Sequence, residues 1–267
     1  DWLKNNALPV WIRERGKQNI ENIPDAPVDE YGKNHAFKPG FAFESGIKSL
    51  LPMPVKGIIC YQGESNAQEM ERVMEYGALT ALMVNDYRKK WGKPGLPFYF
   101  VQLSSMDSAN YKSQLWPLFR DEQRNLLQLI PNTGMAVSSD IGAKNDVHPT
   151  NKKAVGERLA RWALNKIYHK KMLPSGPLPL KARYENGKVT ITFNYAGSRL
   201  LTADGTIIRG FSTDGNTDCN AFIENDTVII PAEARPAYVY YGWKPFTNAN
   251  LINAEGLPAS TFKIKVQ

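Results

Sequence analysis

The chain has 267 residues, 42% of them apolar and 22% charged, with 33 basic against 26 acidic side chains for a net charge of +7. That make-up belongs to a globular protein with room for one large domain or two ordinary ones. It excludes a membrane span, because no apolar run approaches the ~18 residues one requires. The surplus positive charge is scattered among acids. Its two clusters, Arg88-Lys89-Lys90 and Tyr168-His169-Lys170-Lys171, fall at expected helix ends, where cations suit the macrodipole. Neither nucleic acid nor membrane is therefore expected as a partner. Cys60 lies in an apolar run far from Cys219 and reads as a small buried hydrophobe. Neither a zinc spacing nor a redox pair occurs, so no metal and no cofactor is expected. The chain opens on Asp1 rather than Met, and upstream polypeptide is expected to have been removed.

In chain order, Val55 to Tyr61 is a short apolar run ending in polar residues, as in a buried parallel strand. Met70, Met74, Ala78, Ala81, Val84, Tyr87 and Trp91 then recur at steps of three or four, one face of a long helix that Gly92 and Pro94 stop. Pro97 to Leu103 reads as the next strand. Leu115, Leu118, Phe119, Leu126 and Ile130 mark a second helix, with Ser113 as its expected cap. Gly134 to Ser139 reads as a third strand, followed by a helix carrying Val155, Leu159, Trp162, Ala163 and Ile167 on one side. Repeated β-α-β order implies right-handed crossovers and a parallel sheet covered on both faces.

The pattern changes at Leu173-Pro174-Ser175-Gly176-Pro177-Leu178-Pro179, which reads as a stiff linker. Beyond it, short alternating runs at 188–193, 199–201, 227–230 and 238–241 are separated by Asn186-Gly187, Asp204-Gly205 and Asp214-Gly215. This predicts a small antiparallel β domain. The expected division is an α/β domain over 1–172 and a β domain over 180–267. Three strands make a thin sheet for a doubly wound fold, and residues 1–43 offer no convincing buried strand. The first strands are therefore expected on absent sequence.

In a parallel α/β sheet, ligands bind beyond the carboxyl ends of the strands. The residues there are Gln62-Gly63-Glu64-Ser65-Asn66 after the first strand and Ser104-Ser105 after the second. After the third come Asp140 and then Asn145-Asp146-Val147-His148-Pro149. A histidine with a carboxylate two or three positions earlier can have its Nδ1–H oriented while Nε2 serves as a general base toward a serine. The amide and backbone donors of the Gln62–Asn66 turn suit a developing oxyanion. On the residues alone, a lone histidine near a helix start, as His148 is, is more often a structural hydrogen-bonder.

Two motifs carry a resemblance. Tyr61-Gln62-Gly63-Glu64-Ser65-Asn66-Ala67 and Asp146-Val147-His148-Pro149-Thr150-Asn151-Lys152 resemble the third and last blocks of the sialate O-acetylesterase branch of the SGNH hydrolases. Phe43-Glu44-Ser45-Gly46-Ile47 resembles an oxyanion block more loosely. Tyr241-Gly242-Trp243, Asn250-Leu251 and Glu255 to Ser260 are similar to the family's closing β segment, so the resemblance runs from near residue 1 to 262. It implies a flavodoxin-like, three-layer α/β hydrolase, secreted or periplasmic, that removes acetyl groups from carbohydrates through a serine acyl-enzyme. It casts His148 as the base and Asp146 as its orienter, with Asp140 or a backbone carbonyl sharing that role. Gln62, Gly63 and Asn66 become the oxyanion hole or its support, Glu64 a brace for the loop, and Gly46 a further backbone donor.

The sequence departs from the family in two places. No Gly-x-Ser-Asn turn stands ahead of the Gln62–Asn66 block, after a first strand, where the family carries its nucleophile. Gly63-Glu64-Ser65-Asn66 has that spelling but belongs to the third block, and neither Ser65 nor Ser104 sits in a strained elbow. The slot three before His148, acidic in many SGNH hydrolases, is Asn145. The serine is thus expected on an N-terminal segment or subunit outside this chain, which alone would be inactive. The competing expectation is a non-catalytic sugar-binding remnant or pseudoenzyme. A third makes Tyr238, Tyr240, Tyr241, Trp243 and Phe246 a sugar-stacking surface, against ordinary core packing. Sialic acid, acetylated xylan and acetylated pectin all stay open as substrates.

Overall fold

The structure, a computed structural model, describes residues 9–21, 23, 26–29, 32–108 and 111–267. The reading of residues 1–43, and the start of the resemblance near residue 1, lie partly outside the described residues. The chain forms two compact units, Asp1–Val55 with Lys90–Gly92, and Lys56–Lys89 with Lys93–Gln267. In the first, α1 spans Val10–Glu21, and β1 (Val28–Asp29) pairs antiparallel with β2 (Gly32–Lys33). A π-helical turn over Phe43–Ile47 then runs into a 3-10 turn, Lys48–Leu50.

The second unit opens with the alternating segments. Strand β3 (Ile58–Cys60) leads through helix α2 (Met70–Lys90) to β4 (Phe98–Gln102), then through α3 (Trp116–Leu129) to β5 (Thr133–Val137), followed by α4 (Lys152–Lys166). The sheet is parallel in the order β3-β4-β5. Side chains alternate across it with period two. Phe98, Phe100, Met135 and Val137 join Val73, Tyr76, Phe119 and Leu126 of α2 and α3 in one core. Tyr99, Val101 and Ala136 meet Val155, Leu159 and Trp162 of α4 on the other face.

Two features of the helices differ from their sequence pattern. The side of α2 that meets the core carries Val73, Tyr76, Thr80, Val84 and Arg88, whereas Met70 and Met74 are exposed. Thr80 and Arg88 do not look apolar in a sequence, which makes the Met70-Met74-Ala78 row the apolar-looking face of the helix. Helix α3 starts at Trp116 with Leu115 in the cap position and no side-chain cap. The Ser113 hydroxyl instead donates to Asp107 Oδ1 at 3.1 Å, holding the loop after β4. Ser138 and Ser139 also leave the third strand, which ends at Val137.

The remaining strands are antiparallel. They are β6 (Leu178–Glu185), β7 (Lys188–Asn194), β8 (Leu200–Thr202), β9 (Phe211–Ser212), β10 (Phe222–Glu224), β11 (Thr227–Pro231), β12 (Tyr238–Tyr241), β13 (Leu251–Asn253) and β14 (Phe262–Lys265). They form sheets in the orders β10-β11-β7-β6, β14-β12-β9 and β13-β8 around a core that includes Val189, Ile191, Phe211, Ile230, Tyr241 and Phe262. The turn at Asn186-Gly187 has both residues at positive φ, 50° and 74°, which matches the twist of the β6-β7 hairpin. The stretch read as a linker is buried from Pro174 to Pro179, and β6 already begins at Leu178. A Cβ on Gly176 would stand 2.0 Å from the Pro258 carbonyl oxygen, so this segment is packed rather than a free spacer.

Polar side chains join the α/β elements to the β sheets. Arg120, wholly buried on α3, donates to the carbonyls of Gly242, Lys244 and Pro245 and to Ser105 Oγ. Gln102 at the end of β4 exchanges hydrogen bonds with the Thr261 backbone, 3.2 Å and 3.1 Å. The molecule is thus a mixed α/β fold, with a three-stranded parallel sheet and separate antiparallel sheets.

Candidate active site

The loop after β3 turns sharply because Gly63 sits at φ +142° against α3. A Cβ there would fall 2.4 Å from Phe119 Cε1, so no side chain fits. The turn closes with Ala67 N–H on the Gly63 carbonyl at 3.0 Å and Gln62 Nε2 on Asn66 Oδ1 at 2.7 Å. That second bond uses the acceptor end of the Asn66 amide and leaves Nδ2 as its donor end. Gln123, buried on α3, fixes the loop from beneath: Nε2 donates to the Gln62 and Val101 carbonyls, and Oε1 accepts from Leu103 N–H at 2.8 Å. The hydrogen bonds of the turn run through Gln62, Asn66 and Gln123 rather than Glu64. The Glu64 charge is felt at Cys60, Tyr61 and Tyr76, whose pKa values burial already raises.

His148 reaches the same rim from β5. The loop from Gly142 to His148 packs on the loop after β4: Asp107 N–H donates to the Lys144 carbonyl at 2.8 Å, and Gly142 lies flat against Ser105. Pro149 is buried, Val147 packs on the core, and Asn151 caps α4 by accepting from Ala154 N–H at 3.2 Å. The imidazole between these anchors faces solvent, with its side chain 83% exposed. Asp146 Oδ1 accepts from the backbone N–H of His148 at 2.8 Å and stands 3.7 Å from Nδ1. The two motif loops come together where Lys152, at the start of α4, lays its ammonium over the Tyr61 ring, 4.6 Å from the centroid.

Asp140, the alternative orienter, is ion-paired to α4. Arg158 of α4 holds both its oxygens, at 2.6 Å and 2.7 Å, while also donating to the Val137 carbonyl. Ser104 and Ser105 are buried, and the Ser105 hydroxyl is taken up by Arg120 and Thr247 N–H. Gly46 belongs to the other compact unit, in the π-helical turn, where a Cβ would meet nothing within 4 Å. Among the described residues no cluster of three or more His, Cys, Asp or Glu could hold a metal.

Sequence reasoning missed Gln123, Gln102 and Arg120. Arg120 and Gln123 stand on the same side of α3 as Phe119 and Leu126. A polar residue on an otherwise apolar stripe was the available signal. The aromatics of the β region divide. Tyr241 is core, its hydroxyl accepting from Leu251 N–H at 2.7 Å. Tyr238 and Tyr240 carry the Lys263 ammonium on their faces, while Phe246 is exposed.

This mixed α/β fold, with an Asp-x-His motif and a glycine-amide turn on its strand-end loops, is similar to that of a carbohydrate acetylesterase. A carbohydrate acetylesterase from Xanthomonas citri superposes with a TM-score of 0.73 at 38% identity, over 81% of this chain and 52% of that one. Residues 42–165 match the family model for carbohydrate esterase, sialic acid-specific acetylesterase. Sialate O-acetylesterase of Mus musculus is 32% identical over 167 residues, 55% of this chain and 30% of the relative. That of Homo sapiens is 31% identical over 166 residues, 56% and 31%. The chain therefore spans under a third of the length of these curated relatives.

Proposed function

We propose that this chain supplies the base-bearing part of a carbohydrate O-acetylesterase of flavodoxin-like SGNH type, whose nucleophilic serine lies on polypeptide outside it. The observation that carries this reading is the pairing of an open Asp146-His148 loop with the Gln62–Asn66 turn at one rim, in a sequence with no Gly-x-Ser-Asn turn ahead of that block. His148 Nε2 takes the serine proton as Oγ attacks the acetyl carbonyl. The resulting imidazolium protonates the departing sugar oxygen, and water then releases acetate from the acyl-enzyme by the same base. Asp146 orients Nδ1–H; the 3.7 Å gap is of the kind that closes when substrate binds. Gly63 N–H and Asn66 Nδ2 stabilise the oxyanion, with Gln62 and Gln123 holding them in place.

The sheet also supports an external serine. Among the described residues β3 pairs with β4 alone, and Ile59 on the face shared with α4 is 69% exposed. A further parallel strand on that edge would cover it. The substrate is an acetylated saccharide met outside the cell, and the functional division is 1–172 from 180–267.

The test joins this chain to a segment carrying the serine turn and measures acetate release from an acetylated sugar. Turnover is expected, and His148→Ala should cut it by about three orders of magnitude or more. A loss under about tenfold would remove His148 as the base. Binding without turnover would favour a sugar-binding remnant instead.

A further inference from the structure

A second cleft lies at the opposite end of the parallel sheet from His148. It is lined by Pro97, Tyr99 and Thr133 at the entering ends of β4 and β5, by the last turns of α3 and α4, and by the β6-β7 hairpin, enclosing about 620 Å³. That volume suits a mono- or disaccharide. We propose that this cleft is a binding site for an acidic saccharide, separate from the ester-cleaving rim.

Charge, hydrogen-bonding capacity and backbone conformation support the assignment. Arg124 and Lys166 both line the cleft, and no Asp or Glu does. Asp121 engages Arg124 through Nε at 2.7 Å and Asn125 Oδ1 takes Nη2 at 2.8 Å, leaving Nη1 as the guanidinium donor for the cleft. The amides of Asn132 and Asn194, both exposed, offer donors and acceptors together, the complement of sugar hydroxyls. Tyr195 stands at φ +60°, a conformation costly for a bulky residue. Its carbonyl is held there by Asn253 Nδ2 at 2.9 Å, and its half-buried ring packs edge-on to Trp162 at 5.6 Å. The strain sets an aromatic ring at the cleft wall, where a pyranose can lie against it.

The helix ends decide between a carboxylate and a phosphate. Both α3 and α4 present their C-terminal turns here, whose carbonyl dipoles oppose a doubly charged anion. A single carboxylate between Lys166 and Arg124 is compatible with that field.

The experiment is calorimetric titration of the full 267-residue chain with digalacturonate, its neutral methyl ester and inorganic phosphate. Saturable binding of digalacturonate is expected, about tenfold or more weaker for the methyl ester and for Lys166→Ala, and weaker again for Asn194→Ala. Both substituted residues are exposed, so these variants should fold. No saturable binding up to about 10 mM would overturn the proposal. Equal binding of the ester would overturn the acidic class, competition by phosphate the choice of carboxylate, and unchanged affinity in Lys166→Ala the location.

Discussion

At the scale of single residues, the rim depends on positions where one atom more or less changes the geometry. Gly63 allows β3 to pass its loop directly over Phe119, so Gly63→Ala must push the ring or the loop away. A loss of about 1–3 kcal/mol is expected in urea unfolding, and a variant as stable as the parent would mean the loop moves freely. Asp121 behaves differently. Burial raises its carboxyl pKa, only partly offset by Arg124 and the Lys263 N–H. The unfolded chain then ionises this group at lower pH than the folded one does. Stability from this residue falls as pH rises from the ordinary carboxylate value, near 4, through the higher folded value. Asp121→Asn should flatten that decline between the two values when urea midpoints are compared across acid pH. An unchanged slope would assign the pH dependence to other groups.

At the scale of elements, caps and faces reveal how sequence signals can be right in kind and wrong in place. Ser113 is a good capping residue two positions too early; Trp116 N–H bonds to its carbonyl at 2.9 Å, and its hydroxyl is used by Asp107. Asn151 does the capping for α4, directly after the His148 loop. Asn151→Ala should cost about 1 kcal/mol of stability and leave the loop less well anchored, measured by thermal unfolding and by hydrogen exchange at 146–150. Full protection there would mean that Pro149 alone fixes the loop. The α2 row of Met70, Met74 and Ala78 keeps helical spacing while facing outward, because Val73, Tyr76 and Val84 fill the core from the adjoining side.

At the scale of the whole molecule, the α/β elements and the β sheets of the second unit meet through buried polar groups. Among the described residues Arg120 has no carboxylate partner; its guanidinium is satisfied mainly by carbonyls of the 242–245 loop, and burial lowers its pKa. Arg120→Met would leave those carbonyls unpaired in the interior. A loss of at least about 2 kcal/mol is expected from chemical denaturation, and a smaller loss would assign the junction to apolar packing. The same loop touches Ser105, which packs against Gly142 below the histidine loop. A continuous line of contacts therefore runs from the β sheets to the rim.

Periodicity and turn chemistry alone placed the three parallel strands, their helices and the hairpin at Asn186-Gly187, because those signals are local and recur every two or three to four residues. The two rim motifs were legible for the same reason: strand-end loops keep their chemistry in a few consecutive residues. That Arg158, eighteen positions along the chain, holds Asp140 while Asp146 stands 3.7 Å from the His148 ring is visible only in the folded chain. The burial of Arg120, Gln102 and Gln123, the packing of the 174–179 stretch and the cleft behind the sheet likewise depend on contacts between distant segments. Desolvation and hydrogen-bond geometry at those contacts exist only once the chain has closed on itself, and no local pattern encodes them.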